Sequence, residues 1–289
     1  MTKSKGIIPK KTPEFKNTII KEYLSEVSAR ELNKKYHTTT EKILKEAGVL
    51  LSASEFRAKY RRDCIKLNWQ FEDITNETEA YILGFWLSDG CLCSKTQLSL
   101  AINDLDILTD IRNYFSPDIT IGNHNRGAYC IRISSKIACK NAQKWGIIRG
   151  KTNTEFEIPP IPENLIQHFI RGYFDGDGTI FVCNPKNHCS YLKGNICSPT
   201  IKILESIQKH LENHNIFTTI NCEHRKNIML PNPTGECIIG HFDMYRLFIR
   251  KKDEIYKFYK YIYEDATIYL KRKKSVFDNF YIHANIEVI

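Results

Sequence analysis

The sequence predicts an α+β protein built by internal duplication, with a small all-α unit ahead of it. Three observations carry this prediction. The pattern glycine–aromatic–aromatic–x–x–Asp–Gly occurs twice, as "GFWLSDG" from Gly84 to Gly90 and "GYFDGDG" from Gly172 to Gly178, 88 residues apart. The elements that follow each copy recur in one order: helix, two strands, helix, two strands, helix. The charge is also uneven. Of a net +9, residues 1–62 carry fifteen Lys/Arg against seven Asp/Glu, which leaves the rest of the chain near neutral.

In the basic end piece, Ser28 with Glu31 and Thr38 with Glu41 have the spacing of capping boxes, where the hydroxyl accepts from the N3 amide and the glutamate reaches back. They open predicted helices over 29–36 and 39–47, and Gly48 closes the second in a left-handed cap. Leu32, Ile43, Leu44 and Ala47 are expected to pack on Ile19, Ile20 and Leu24 of an upstream helix. Two short helices on a tight turn behind a third read as a helix-turn-helix, which sets the start of its second helix in the DNA major groove. That surface offers Thr39, Thr40, Lys42 and Lys45. A positive end piece on a near-neutral body points to a polyanion, although a solvated basic tail accounts for the charge as well. The expected division is a helix-turn-helix domain at 1–51, a basic linker at 52–72 and the duplicated unit at 73–289, with halves about 73–158 and 159–283. Within the linker, "FRAKYRR" suits contact with phosphates.

In the first half, Asn76 and Glu79 cap "EAYILGFWLSDG", a helix ending at Asp89-Gly90. "TQLSLAI" alternates as a strand, "LDILTDIRNYF" is a helix, "DITIG" and "YCIRISS" are strands around a loop at 123–127, and "KIACKNAQKWGI" is a helix. Pro159, Pro160 and Pro162 break the chain. In the second half "ENLIQHFIRGYFDGDG" is the matching helix, followed by strands "TIFVCN" and "LKGNICS" and the helix "TIKILESIQKHLENH". Strands "TTINCEH" and "GHFDMYRLFI" and the helix "DEIYKFYKYIY" come next, and "YLKRKKSVF" is a basic tail segment.

An aspartate at a helix C-terminus faces the negative end of the dipole, unfavourable by ~0.3–1 kcal/mol. Two such placements at matching positions call for a compensating cation. Gly84 and Gly172 lie inside their helices, where glycine costs roughly 0.5–1 kcal/mol against alanine. Their use is close approach: if the two helices pack there about a local two-fold, Asp89 and Asp177 become neighbours. Adjacent carboxylates stay ionised only with cations between them. Oxygen ligands suit Mg²⁺, and paired metals serve in-line phosphodiester hydrolysis. The polar strand faces offer Lys95, Gln97, Ser99, Arg126 and Arg132 in the first half, and Lys193, Asn195, Thr219, Asn221 and Arg225 in the second, for a duplex groove. Solvated strand faces would look much the same.

The segments "ILGFWLSDG", Ile82–Gly90, and "IRGYFDGDG", Ile170–Gly178, resemble the LAGLIDADG (dodecapeptide) homing endonucleases, in a single-chain, two-repeat form. The first copy departs with Leu87 where an earlier acid often falls, and keeps the last Asp. Over residues 70–280 the resemblance implies a pseudo-two-fold αββαββα pair with a saddle of antiparallel sheets on a long DNA site, and Mg²⁺-dependent cleavage of both strands. It implies that Asp89 and Asp177 hold the metals, two or more ions at the pseudo-two-fold interface, with the carbonyls of Ser88 and Gly176 as further ligands. It also implies an assisting lysine in each half, Lys151 and Lys273, with Lys271 or Lys274 as substitutes for the latter.

The expected partner is double-stranded DNA, bound by a monomer with internal pseudo-symmetry, encoded by a mobile intron or a free-standing mobile gene. A non-cleaving nucleic-acid binder of the same fold, an RNA maturase or transcription regulator, is the alternative. Ten cysteines include no C-x-x-C pair, so no four-ligand zinc site is expected. No secretory signal and no membrane-length apolar run is visible, and an intracellular protein with reduced thiols is expected.

Overall fold

The structure, a computed structural model, describes residues 12–52, 55–56, 65–150, 154–185, 189–231 and 237–283. Two compact units divide between Lys66 and Leu67.

The first unit has three helices, α1 (Pro13–Leu24), α2 (Ala29–Tyr36) and α3 (Glu41–Glu46). The capping box of α2 forms: Ser28 Oγ accepts from Glu31 N, and Glu31 Oε2 accepts from Ser28 N at 3.0 Å. The expected box of α3 does not form. Asn33 on α2 intervenes, accepting the Thr40 amide and hydroxyl at 2.7 and 2.8 Å and donating to Glu41 at 2.8 Å. The helix therefore starts two residues later than expected, with Thr40 as its N-cap. Phe15, Ile19, Tyr23, Leu32 and Leu44 make the core. Leu24 and Ala47, expected inside, are exposed. Phe15, Ile19 and Tyr23 recur every four residues, so Tyr23 takes the inward place and turns Leu24 out.

The second unit contains the duplication. Its first half runs α4 (Glu77–Asp89), β1 (Gly90–Ser94), β2 (Gln97–Ile102), α5 (Leu105–Phe115), β3 (Gly122–Asn123), β4 (Tyr129–Ser134) and α6 (Lys136–Lys144). The second runs α7 (Ile166–Asp177), β5 (Gly178–Cys183), β6 (Tyr191–Ser198), α8 (Ile201–Asn213), β7 (Thr219–His224), a hairpin of β8 (Met229–Pro231) and β9 (Cys237–Ile239), β10 (Met244–Ile249) and α9 (Lys252–Tyr263). A last helix, α10 (Lys271–His283), stands where a basic tail was expected. The two sheets are antiparallel, ordered β1-β2-β4-β3 and β5-β6-β10-β7. β10 thus inserts between β6 and β7 although it follows both in sequence. The expected strand at "DITIG" shrinks to Gly122–Asn123. Part of the expected linker is core: Trp69 and Phe71 are buried against Phe115.

The motif helices α4 and α7 pack directly on each other, with nine consecutive buried residues in α4 from Glu79 to Leu87. The contact is symmetric. A methyl at Gly84 would strike Phe169 O and lie 2.9 Å from Tyr173 N; one at Gly172 would strike Tyr81 O and lie 2.9 Å from Phe85 N. Phe169 and Tyr173 stand 88 residues after Tyr81 and Phe85, so the two helices meet about a local two-fold with backbone against backbone.

Gly84→Ala and Gly172→Ala should each lower unfolding free energy by about 2 kcal/mol or more, since overpacking a rigid contact typically costs ~1–3 kcal/mol. Gly122→Ala, whose methyl would meet only Cys130 O at 3.9 Å, should stay within ~0.5 kcal/mol of the parent. Urea denaturation of the three variants checks both statements.

Candidate active site

The close helix contact brings the two motif ends together. Both helices stop at Asp-Gly, and each chain passes straight into the first strand of its half through a glycine in extended conformation, Gly90 and Gly178. A methyl on Gly176 would strike the Ser88 side chain and sit 3.2 Å from Asp89 Oδ2, so the end of α7 lies against the end of α4. Asp89 is exposed and Asp177 half-buried. Both carboxylates bear on the Tyr173 hydroxyl, which burial first and then their charge push above its ordinary value. Asp89 and Asp177 open on separate cavities of about 230 Å³ each. The Asp89 cavity is polar, with Asp104, Asp175 and Arg272 in its wall. The Asp177 cavity has Phe156, Phe242 and Met244.

Lys273, expected as the assisting lysine of the second half, is buried. Its ammonium donates to the carbonyls of Phe174 and Asp175 at 2.7 Å, Gly178 at 2.5 Å and Gly176 at 3.3 Å. It is a cation at the negative end of α7, where the dipole favours one. Burial pulls the ammonium down to about 8, while Asp175, Asp89 and Asp177 pull it up. The Gly176 carbonyl, expected to face a metal, therefore already faces an ammonium. The neighbouring basic residues are also matched within the chain: Lys271 with Asp106, Arg272 with Asp104 at 3.0 Å, and Lys274 with Asp278 at 2.9 Å. Lys151 lies outside the described residues.

A buried polar network on one flank of the helix pair was not anticipated. Arg171 is fully buried; its Nη2 meets Glu77, and its Nε and Nη1 donate to Ile268 O and Ile262 O at 2.9 Å. Glu77 also accepts from Thr267 N and Oγ1. Asp175 accepts from Tyr81 Oη at 2.9 Å, Tyr263 Oη at 2.5 Å and Leu270 N at 2.8 Å. Burial raises the Asp175 carboxyl to about 6 against those donors. Burial also pushes Glu77 up, but the Thr267 amide and the Arg171 charge outweigh it and hold the carboxyl below its ordinary value. The network anchors the segment from Ile262 to Leu270, which delivers Lys273.

The other predicted residues divide. In β2 and β4, Leu98, Leu100, Ile131 and Ile133 are buried while Gln97, Ser99 and Arg132 take the opposite face; Lys95 is exposed in the β1–β2 turn. The side chain of Arg126 lies outside the described residues. On the second sheet Lys193, Thr219 and Asn221 are exposed. Asn195 shares their face but is 4% exposed, covered in the row Thr179–Asn195–Phe248–Thr219. Arg225 is exposed and paired with Asp243 at 3.1 Å. Missed on this face were Arg246 and Phe248 of β10, with Arg250 stacked 4.2 Å from the Phe248 ring. In the N-terminal unit Thr39, Lys42 and Lys45 are exposed, whereas Thr40 is fully buried against Asn33 and cannot reach a partner.

Because the folded value of Glu77 lies below its ordinary 4.5, the stability it contributes is complete above that pH and is lost as pH falls through the folded value. The stability difference between the parent and Glu77→Gln should therefore be full near pH 6 and shrink steadily below about pH 4.5, as read by urea unfolding across pH.

Residues 164–263 match the family model of the LAGLIDADG-like domain. The chain is similar to the LAGLIDADG meganuclease I-AabMI bound to uncleaved DNA, with a TM-score of 0.51 and 12% identity over 74% of this chain and 92% of that one. It is similar to the meganuclease I-SmaMI bound to an uncleaveable DNA, with a TM-score of 0.50 and 14% identity over 74% and 92%. No curated protein matches the chain. At these identities the structural likeness concerns the fold. The second half of the chain carries a LAGLIDADG-like domain, and the duplicated unit has the α+β LAGLIDADG fold with its two antiparallel four-stranded sheets.

Proposed function

We propose that this chain is a site-specific, homing-type endonuclease of double-stranded DNA that hydrolyses one phosphodiester in each strand with Mg²⁺. The observation that carries the reading is the meeting of the two Asp-Gly helix ends, Gly176 against Ser88 and Asp89, at open cavities on either side. The meganucleases similar in structure are bound to DNA, which supports the same partner here. No helix among the described residues is long and apolar enough to cross a membrane.

The donor set fits a hard divalent ion. Asp89 and Asp177 offer carboxylate oxygens at adjoining tips, and glycine at 176 leaves room there for Ser88 and Asp89. Among the described residues no group of three or more His, Cys, Asp or Glu converges, so the two aspartates, with the Ser88 carbonyl as a further oxygen, would hold the ion and leave room for oxygen ligands from outside the chain. When bound, the ion supplies an activated water and neutralises phosphate charge. Lys273 holds the end of α7 and offsets the mutual repulsion of the two carboxylates from beneath. In this reading it is a positioning residue, not a donor to substrate. Outward residues of both sheets, Gln97, Ser99 and Arg132 on one, Lys193, Asn221 and Arg246 on the other, meet the duplex. The N-terminal unit acts as a helix-turn-helix, a second grip through Thr39, Lys42 and Lys45, joined by a basic linker.

With a DNA duplex selected from a randomised library, Asp89→Asn and Asp177→Asn should each lower cleavage by about a hundredfold or more, the scale of losing one group that stabilises a transition state, with affinity within a few-fold of the parent. Parent protein that binds the selected duplex without cutting it in Mg²⁺ would establish the non-cleaving binder instead. Lys42→Gln with Lys45→Gln should flatten the dependence of log affinity on log salt by roughly 0.9 for each phosphate that these lysines neutralise, measured by fluorescence anisotropy.

A further inference from the structure

The duplication is symmetric at the glycines and asymmetric beside them. On one flank of the helix pair, Glu77 of α4 meets Arg171 of α7, and Tyr81 of α4 meets Asp175 of α7. The positions equivalent to these, 88 residues away, are Leu165 for Glu77, Leu83 for Arg171, Phe169 for Tyr81 and Leu87 for Asp175. All four are buried. One flank therefore carries two polar pairs where the other carries only apolar side chains, about a single two-fold axis.

From this we propose that the α4–α7 interface is a one-way recognition surface: the second half accepts a first half and rejects another copy of itself. The geometry states what self-pairing entails. If α7 packed on a second α7 through the same glycine contact, each Arg171 would face Leu165 and each Asp175 would face Phe169. On both flanks the guanidinium would keep the Ile262 and Ile268 carbonyls but lose the Glu77 carboxylate, and Asp175 would keep Tyr263 and Leu270 but lose the Tyr81 hydroxyl. If α4 packed on a second α4, Glu77 would face Leu83, and the Tyr81 hydroxyl would face Leu87. A buried charge that loses its partner is strongly destabilising, whereas a buried ion pair replaced whole by apolar residues is often tolerated. The polar flank thus adds little to the correct pair compared with what it subtracts from the wrong ones. Leu83 and Leu87, which depart from the second copy of the motif at those places, are then the complement of Arg171 and Asp175. The partner this surface fits is a LAGLIDADG-type half bearing an acid at the position of Glu77 and a hydroxyl at that of Tyr81.

Single substitutions in the intact chain reproduce the rejected contacts. Glu77→Leu sets Arg171 against leucine, as a second α7 would, and Tyr81→Phe sets Asp175 against phenylalanine. We expect Glu77→Leu to lower the folding equilibrium constant by roughly a hundredfold or more. Glu77→Leu with Arg171→Leu, which copies the apolar flank, should be more stable than Glu77→Leu alone. Removing the Thr267 hydrogen bonds by itself would not produce that reversal, and Thr267→Val measures the share of the hydroxyl bond separately, the main-chain N–H being retained. A Glu77→Leu variant within a few-fold of the parent, or a double variant less stable than the single, overturns the proposal. The partner choice is read directly after a protease site in the connector between the halves is cut in the folded protein. Heavy- and light-isotope samples are then mixed in urea, refolded and weighed by native mass spectrometry. Scrambled first-with-second pairs alone support the proposal; second-with-second pairs at a statistical share overturn it. Neither readout involves DNA or cleavage, so failure of the nuclease assignment leaves both intact.

Discussion

The contact of α4 and α7 backbones at Gly84 and Gly172 is the constraint on which the duplicated unit depends. Any side chain at either glycine would occupy space held by a carbonyl of the other helix. The helices can therefore approach only there, and the approach makes their C-termini coincide. Two aligned C-termini concentrate negative potential, and two aspartates add to it. The chain answers with Lys273, whose ammonium serves four main-chain carbonyls at the end of α7. The cost of assembling two acidic tips is offset from the protein side by a buried cation, and the open side is left for the ions and phosphates of the proposed reaction.

The delivery of that lysine explains why the interface is not symmetric. Arg171, Glu77 and Asp175 fix the carbonyls and amides of the segment from Ile262 to Leu270, and α10 follows it directly. The basic run at 271–274 is then consumed by internal partners from both halves, Asp106 and Asp104 in the first, α7 and Asp278 in the second. The two cavities inherit the difference: Arg272 and Asp104 enter the Asp89 side, and Phe156, Phe242 and Met244 the Asp177 side. One set of polar groups thus orders the C-terminal segment, distinguishes the halves and makes the two sides of the site chemically unequal.

Much of this was legible in the sequence. The repeated Gly-aromatic-aromatic-x-x-Asp-Gly fixes helix termini through local backbone chemistry, and the alternation in "TQLSLAI" separates Leu98 and Leu100 from Gln97 and Ser99. What was not legible depended on contacts between distant segments. Thr38 and Glu41 have the spacing of a capping box, but Asn33 competes for the same groups. β10 enters the middle of its sheet, so Arg246 and Phe248 fall between residues predicted from β6 and β7. Lys273 looks like one basic residue among four because nothing local shows that three are ion-paired and one is buried. The polar flank did leave a trace: Glu77, Arg171 and Asp175 are charged residues within or at the start of apolar helices, and each has leucine at its counterpart in the other half.

The central claim is that the two motif ends lie against each other in the folded chain. Cysteines placed at the touching positions, Ser88→Cys with Gly176→Cys, test it most directly: a Cβ at 176 would stand 2.5 Å from Ser88 Cβ, so the ends need part by only about 1 Å to reach the ~3.5–4.5 Å of a disulfide. Mild oxidation followed by peptide mapping should recover the peptides containing residues 88 and 176 joined to each other, in protein that still unfolds cooperatively although at lower stability than the parent. Recovery of the two peptides separate, with the exposed native thiols of the same sample oxidised, would contradict the account.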